Sequence, residues 1–258
     1  MEYIKFNQKT AAGYVRFRNE DSHAVVYATD RSGALADVCR GMGGAIGGEI
    51  ASKIACETFY AYPRFEDGNR RTSLLRNQRR LKRLIHLANE NICDFATAHP
   101  RYHGMGTTVS ALLFLEDQAV IAHVGDSRVY RLRDGKLALL TRDQTLLDFL
   151  IRSGRLNSEQ AFGHPSGNVL MQAVGLKSRL EHIYTRTDAY QSGDLYILCS
   201  DGLSDYITEA DLQAFVIRGH VETLCDRLVA EALRRGGQDN VTVITAFVQA
   251  SSEDRRAA

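Results

Sequence analysis

The sequence predicts an α+β domain, a four-layer α/β/β/α sandwich of two stacked, mainly antiparallel sheets flanked by helices. Three observations carry this expectation. Two long stretches in the first half hold apolar residues at helical spacing. Short β-rich runs joined by tight turns fill the middle. Near the end, two helical patterns lie between strand-like runs, and helices bracketing antiparallel strands call for two sheets with helices outside.

Taken in order, His23–Ala28 and Gly33–Ala36 read as a short hairpin around the turn-rich Thr29-Asp30-Arg31-Ser32. Ile46–Tyr60 and Ser73–Ala98 read as two packed helices, the second through Leu74, Leu81, Leu84, Ile85, Ala88 and Ile92. Val109–Leu115, Ala119–Val124 and Ser127–Arg131 are expected to form an antiparallel meander. Asp143–Ser153 looks helical, Leu180–Arg186 and Asp194–Cys199 are strands, and Glu209–Ile217 and Val221–Arg234 are helices before a last strand, Val241–Val248.

At 258 residues and 44% hydrophobic, the chain can bury a full core as one domain, residues 1–250, with a polar tail over 251–258. A net charge of +1 gives no global pull toward nucleic acid or anionic membrane. No apolar run approaches the ~20 residues that span a bilayer, and the polar start is no signal peptide. The cysteines at 39, 56, 93, 199 and 225 form no C-x-x-C pair, so reduced thiols and a cytoplasmic location are expected, with Cys56 and Cys93 buried in helices.

The chemistry concentrates in four aspartate-bearing islands: Ala34-Leu35-Ala36-Asp37, Gly125-Asp126-Ser127-Arg128, Ser200-Asp201-Gly202 and Asp239-Asn240. Carboxylates at strand ends suit hard divalent cations, which take oxygen ligands. Alone, each island could be a turn. The ordered set starts from Gly13-Tyr14-Val15-Arg16 and Asn19-Glu20-Asp21. It continues through Gly41-Met42-Gly43-Gly44, Met105-Gly106-Thr107-Thr108, Leu140-Thr141-Arg142-Asp143 and His164-Pro165, and ends at Gln238-Asp239-Asn240-Val241-Thr242. This series resembles the bacterial type-2C metal-dependent protein phosphatases, from about Gly13 to Val248.

The resemblance implies a protein serine/threonine phosphatase that uses two Mn²⁺ or Mg²⁺ ions, with a third ion near Asp126. Its partners would be phosphoserine and phosphothreonine proteins, a Ser/Thr kinase or its substrates. It implies Asp37, Asp201 and Asp239 as ligands of the binuclear pair and the Val38 carbonyl as a further donor. Asp126 with Asp201 would form the third-ion site. Glu20 would hold a metal-bound water, Arg16 would grip the substrate phosphate with its planar fork of donors, and Asn240 would orient a carboxylate or water.

The first aspartate admits two registers, because relatives run Ala-Asp-Gly-Met-Gly-Gly where this chain reads Ala36-Asp37-Val38-Cys39-Arg40-Gly41-Met42. In one, Asp37 is the bridging ligand, Val38 offers its carbonyl, and Val38 to Arg40 are inserted. In the other, nothing is inserted and Arg40 replaces the aspartate, giving a phosphatase-like protein that binds phosphoprotein without catalysis. Side chains alternate across a strand, so residues 37 and 40 cannot both face the metals.

Ala45 stands where many relatives place a histidine, which removes one general acid. The segment from Leu140 to Asn168 matches a variable, exposed flap. Arg70, Arg71, Arg76, Arg79, Arg80, Lys82 and Arg83 form a basic cluster, for which a solvated helix face is the simpler reading than a docking surface. With no tryptophan and no interleaved aromatics there, nucleic acid is not an expected partner.

Overall fold

A computed structural model describes residues 3–27, 33–42, 44–61, 74–115, 118–157, 160, 164, 166, 167, 169–218 and 220–249. One five-stranded sheet has the order β1-β11-β10-β7-β8, with β1 at Tyr3–Ala11, β7 at Arg128–Arg133, β8 at Lys136–Leu139, β10 at Leu195–Cys199 and β11 at Val241–Gln249. The second has the order β2-β3-β5-β6-β9, with β2 at Asp21–Tyr27, β3 at Ala34–Met42, β5 at Val109–Phe114, β6 at Gln118–Val124 and β9 at Tyr184–Ala189. The short β4, Gly106–Thr107, pairs with the end of β3. All strand pairs are antiparallel.

Three apolar layers hold these sheets, in the α/β/β/α arrangement. Between the sheets, Ala36, Val38, Leu112 and Ile121 meet Val129, Tyr196, Leu198 and Ile244. On one outer face, α1 (Gly44–Tyr60) and α2 (Leu74–Ala98) cover the β2-β3-β5-β6 surface. On the other, α5 (Glu209–Ile217) and α6 (Leu224–Arg234) pack on β10 and β11 through Leu212, Leu228, Val229 and Val243. Helix α2 buries Leu81, Leu84, Ile85, Ala88 and Ile92, a stripe at 3- and 4-residue steps. Each large aliphatic side chain so buried contributes about 1.5–3 kcal/mol. A charged residue at Ile85 would break this contact.

Several boundaries differ from expectation. Strand β1 was not foreseen, because its alternation (Ile4 and Phe6 inward) fades into Gln8-Lys9-Thr10; its nine-residue pairing with β11 supplies the order. Strand β3 runs to Met42 rather than stopping at Ala36, since β2 pairs along it as far as Asp21↔Arg40. The expected three-strand meander is instead split. β5 and β6 pair, but β7 joins the other sheet beside β10. The chain crosses at Gly125, whose φ of 110° and contact with Thr108 leave no room for a side chain. Cys56 is buried as expected, whereas Cys93 is only half-buried. Thr29 to Ser32, Arg70, Arg71, Ser73, Pro165, Asn168 and the tail over 251–258 lie outside the described residues.

Candidate active site

The site forms where the end of β3, the β6–β7 crossing and the starts of α4 (Asp201–Ser204) and β11 converge. Each aspartate arrives for a local reason. Asp126 follows the left-handed Gly125, Asp201 is the first residue of α4 after β10, and Asp239 precedes β11. Packing at these junctions is backbone on backbone. A Cβ at Gly202 would lie 2.0 Å from the Asn240 carbonyl oxygen, and one at Gly13 would lie 2.4 Å from that of Asp239.

The residue that β3 delivers to this cleft is Arg40. Its Nη2 donates to both carboxylate oxygens of Asp126 at 3.0 Å, and its Nη1 donates to Asp201 Oδ2. The side chains are sunk, 15% exposed for Arg40 and 7% for Asp126. Burial pushes the Asp126 and Asp201 carboxyls up from their ordinary range, and the Arg40 charge pulls them back. The strand alternation explains the choice of residue. Ala36, Val38 and Arg40 point between the sheets, and Leu35, Asp37 and Cys39 point toward α1.

The assignment of Asp37 as bridging ligand is therefore corrected. Asp37 is fully buried on the helix-facing side of β3, where Oδ1 accepts from Cys56 Sγ at 2.8 Å and Cys39 Sγ at 3.7 Å. Val38, its companion in that register, is corrected too. It sits mid-strand, paired with His23 on one side and Ser110 on the other, with its side chain in the intersheet core. The register without insertion is the one the backbone adopts.

Arg16, Glu20, Asp201, Asp239 and Asn240 do meet at the cleft. Arg16 Nη2 donates to Asp239 Oδ2 at 2.8 Å, with the Arg16 side chain 54% exposed. The Glu20 carboxylate packs over Gly48 of α1, where a Cβ would come within 2.8 Å of Oε2. Burial pushes its pKa up, opposed by Arg16. The Asn240 side chain orients backbone, while its main-chain amide donates to Asp239 Oδ1 at 2.8 Å and so holds that carboxylate. Its Nδ2 donates to the carbonyls of Ala12 and Arg18, and its Oδ1 accepts from the Glu20 amide, all at 2.8–2.9 Å. Asn240 thus folds the 12–20 loop that carries Arg16 and Glu20.

Two acidic neighbours escaped the sequence reading. Asp21 lies beneath Arg40, its Oδ2 accepting from Ser200 and Thr242 hydroxyls at 2.7 Å. Burial raises its pKa to about 6. The motif Asn19-Glu20-Asp21 contained the signal, but nothing separated the buried from the exposed acid. Asp205 is one helical turn after Asp201, and burial also raises it. Beside the site, Arg128 grips Asp143 with Nη2–Oδ2 at 2.7 Å, tying the flap to the crossing. The flap, which carries helix α3 (Leu146–Arg152), is further fixed by Leu146 N to Val169 O and Met171 N to Gln144 O, both 2.8 Å.

A divalent cation would need hard oxygen donors with free lone pairs. Asp201 Oδ1 is buried with no partner, Asp239 is open on its outer side, and both face the same cations, Arg16 and Arg40. These two carboxylates fit such an ion. Arg40 stands where a third, bridging carboxylate is expected.

Comparisons with known proteins agree with this architecture. The sequence profile described as "Protein phosphatase 2C" matches residues 14–236. The chain is 37% identical over 245 residues to the serine/threonine protein phosphatase PstP of Mycobacterium tuberculosis, covering 95% of this chain and 45% of that protein. It thus spans under half the length of that relative. It is 32% identical over 241 residues to the serine/threonine phosphatase stp of Listeria monocytogenes, covering 92% of each. The crystal structure of the M. tuberculosis enzyme superposes with a TM-score of 0.85 at 32% identity, covering 97% of this chain and 100% of that one. A structure of the PstP catalytic domain, described in complex with two manganese ions, superposes at 0.83 with the same identity and coverage. With its profile, its relatives and its fold in agreement, the chain belongs to the protein phosphatase 2C family of metal-dependent serine/threonine phosphatases.

Proposed function

We propose that this chain removes phosphate from phosphoserine and phosphothreonine in proteins, a Ser/Thr kinase or that kinase's substrates among them, using Mn²⁺ or Mg²⁺. The observation that carries the reading is the convergence of Arg16, Asp201 and Asp239 at one open cleft. Asp201 and Asp239 would hold the ion, which when bound neutralises phosphate charge and acidifies water. Arg16 exchanges its exposed contact with Asp239 for the planar fork of contacts it can offer a phosphate. Asn240 keeps Arg16 and Glu20 at the rim by holding their loop. A cytoplasmic, signalling role belongs to the same proposal, supported by five cysteines that are all free thiols. No helix among the described residues is long and apolar enough to cross a membrane.

Arg40 favours a second reading, in which the protein binds phosphoprotein with little or no turnover. A guanidinium fixed to Asp126 and Asp201 supplies positive charge without an ion and withholds those oxygens from one. Phosphopeptide hydrolysis in Mn²⁺ and in chelator separates the two readings. The first requires metal-dependent phosphate release by the unaltered chain. The second requires an inert chain that gains metal binding and turnover on Arg40→Asp. Chelator-resistant hydrolysis would sink both.

A further inference from the structure

On the helix-facing side of β3, three side chains with metal-ligating atoms meet away from the cleft. Asp37 and Cys39 project from the same face of the strand, two residues apart, and Cys56 comes from α1 opposite. Their ligand atoms all lie within 4.8 Å of one another. Asp37 and Cys39 are fully buried and Cys56 is 6% exposed. The neighbourhood is apolar, built from Ala24, Leu35, Ala55 and Phe59. Both thiols address Oδ1 of Asp37, and Oδ2 is buried with no partner. Among the described residues no lysine, arginine or histidine pairs with this carboxylate.

We infer that Asp37, Cys39 and Cys56 form a structural site for a soft or borderline divalent cation, with Zn²⁺ the best fit. A buried carboxylate with an orphaned oxygen is costly unless a proton or a cation satisfies it. Two thiolates and one carboxylate oxygen fill three of the four positions of a tetrahedral zinc. The second oxygen of the same carboxylate, too close to the first to take a full vertex, leans on the fourth. Zinc–sulfur bonds of ~2.3 Å and zinc–oxygen bonds of ~2.1 Å put ligand atoms about 3.5–3.8 Å apart around a tetrahedral ion. The Cys39–Asp37 separation of 3.7 Å already has that value. The Cys56–Asp37 contact of 2.8 Å must widen by about 0.7–1 Å to reach it. Sulfur ligands discriminate against Mg²⁺ and Mn²⁺, so this site and the all-oxygen cleft draw on different metals. Binding exchanges thiol protons for the ion, and burial means that the ion enters as the strand and helix fold together. The inference does not rest on the proposed phosphatase activity.

The test is metal content and Co²⁺ spectroscopy of the intact chain purified after expression with added zinc. We expect one equivalent of Zn²⁺ to survive gel filtration, and Co²⁺ taken up in its place to show a thiolate-to-metal charge-transfer band. Cys56→Ser should abolish the band and Asp37→Asn should weaken retention at least tenfold. Asp239→Asn, which alters only the oxygen cleft, should change neither. If the cysteine variant fails to fold, the unaltered chain decides alone. No retained zinc and no thiolate band overturn the inference. So does zinc that is lost in Asp239→Asn but kept in Cys56→Ser, or a mass short by two hydrogens that marks a Cys39–Cys56 disulfide.

Discussion

Two arginines meet carboxylates in the same cleft at different depths. Arg16 reaches Asp239 at the rim with its side chain 54% exposed, whereas Arg40 is 15% exposed between Asp126 and Asp201. At the rim, water screens the pair, and either partner can exchange it for a ligand at small cost. In the depth, desolvated carboxylates depend on the guanidinium, so the contact is a fixture. The same pairing chemistry is thus a movable grip in one place and a strut in the other.

The largest expected effect breaks the deep pair. Arg40→Ala leaves Asp126 and Asp201 buried without a cation and should cost roughly 3–5 kcal/mol in urea unfolding with chelator present. Added Mn²⁺ should restore part of that loss. Unchanged stability would place Arg40 among the movable contacts and end the distinction.

A second buried ionisable group sharpens the depth argument. His123 is fully buried, between the Ser110 hydroxyl at 2.8 Å and the Arg142 carbonyl at 3.0 Å. Burial lowers its pKa from 6.5 to about 4, only partly offset by the nearby Asp143 charge. The unfolded chain therefore binds a proton that the native state refuses between those values. Stability from this source is complete above pH ~6.5 and falls as pH drops toward 4, by on the order of 3 kcal/mol. Carboxyls raised by burial, such as Asp21, titrate in the same window with the opposite sign but equally in both proteins. The stability difference between the unaltered chain and His123→Gln, followed by unfolding across that window, should therefore carry the His123 slope.

At the rim the readout shifts to kinetics. If the chain turns over phosphopeptide, Arg16→Ala should raise KM more than it lowers kcat, a penalty of about 2–3 kcal/mol for a lost charge-assisted bidentate contact. Its stability should change by less than ~1 kcal/mol. Equal KM in variant and parent would strike Arg16 from the site. Smallest of all, Arg79→Ala with Arg83→Ala on the exposed face of α2 should stay within ~0.5 kcal/mol of the parent in thermal unfolding. A larger change would reveal a structural role for that face.

Much of this was legible in the residues. Helical periodicity located α1 and α2 to within a few residues, and three of the four aspartate islands, at Asp126, Asp201 and Asp239, identified junctions that build the cleft. What could not be read was long-range partnership. The Ser127–Arg131 run looks like the third strand of a meander, and only its pairing with β10 moves it to the other sheet. The register at 37–40 depended on where β3 ends, which β2 and β4 decide through Asp21↔Arg40 and Gly41↔Thr107. A polar residue such as Asp37 reads as a ligand by composition, yet two cysteines distant in sequence or hidden by alternation give it a different setting.

Arg40's main chain is held independently of its side chain. The amide donates to Thr108 Oγ1 at 3.0 Å, and the carbonyl accepts from the Thr108 amide and the Thr107 hydroxyl at 2.9 Å. The next residue, Gly41, abuts Gly48 so closely that a Cβ would lie 2.2 Å from its carbonyl oxygen. Position 40 is therefore a rigid socket whose occupant can be exchanged without moving the socket. A lineage could pass between a guanidinium and a carboxylate there by point substitution, gaining or losing an ion while the sandwich stays as it was.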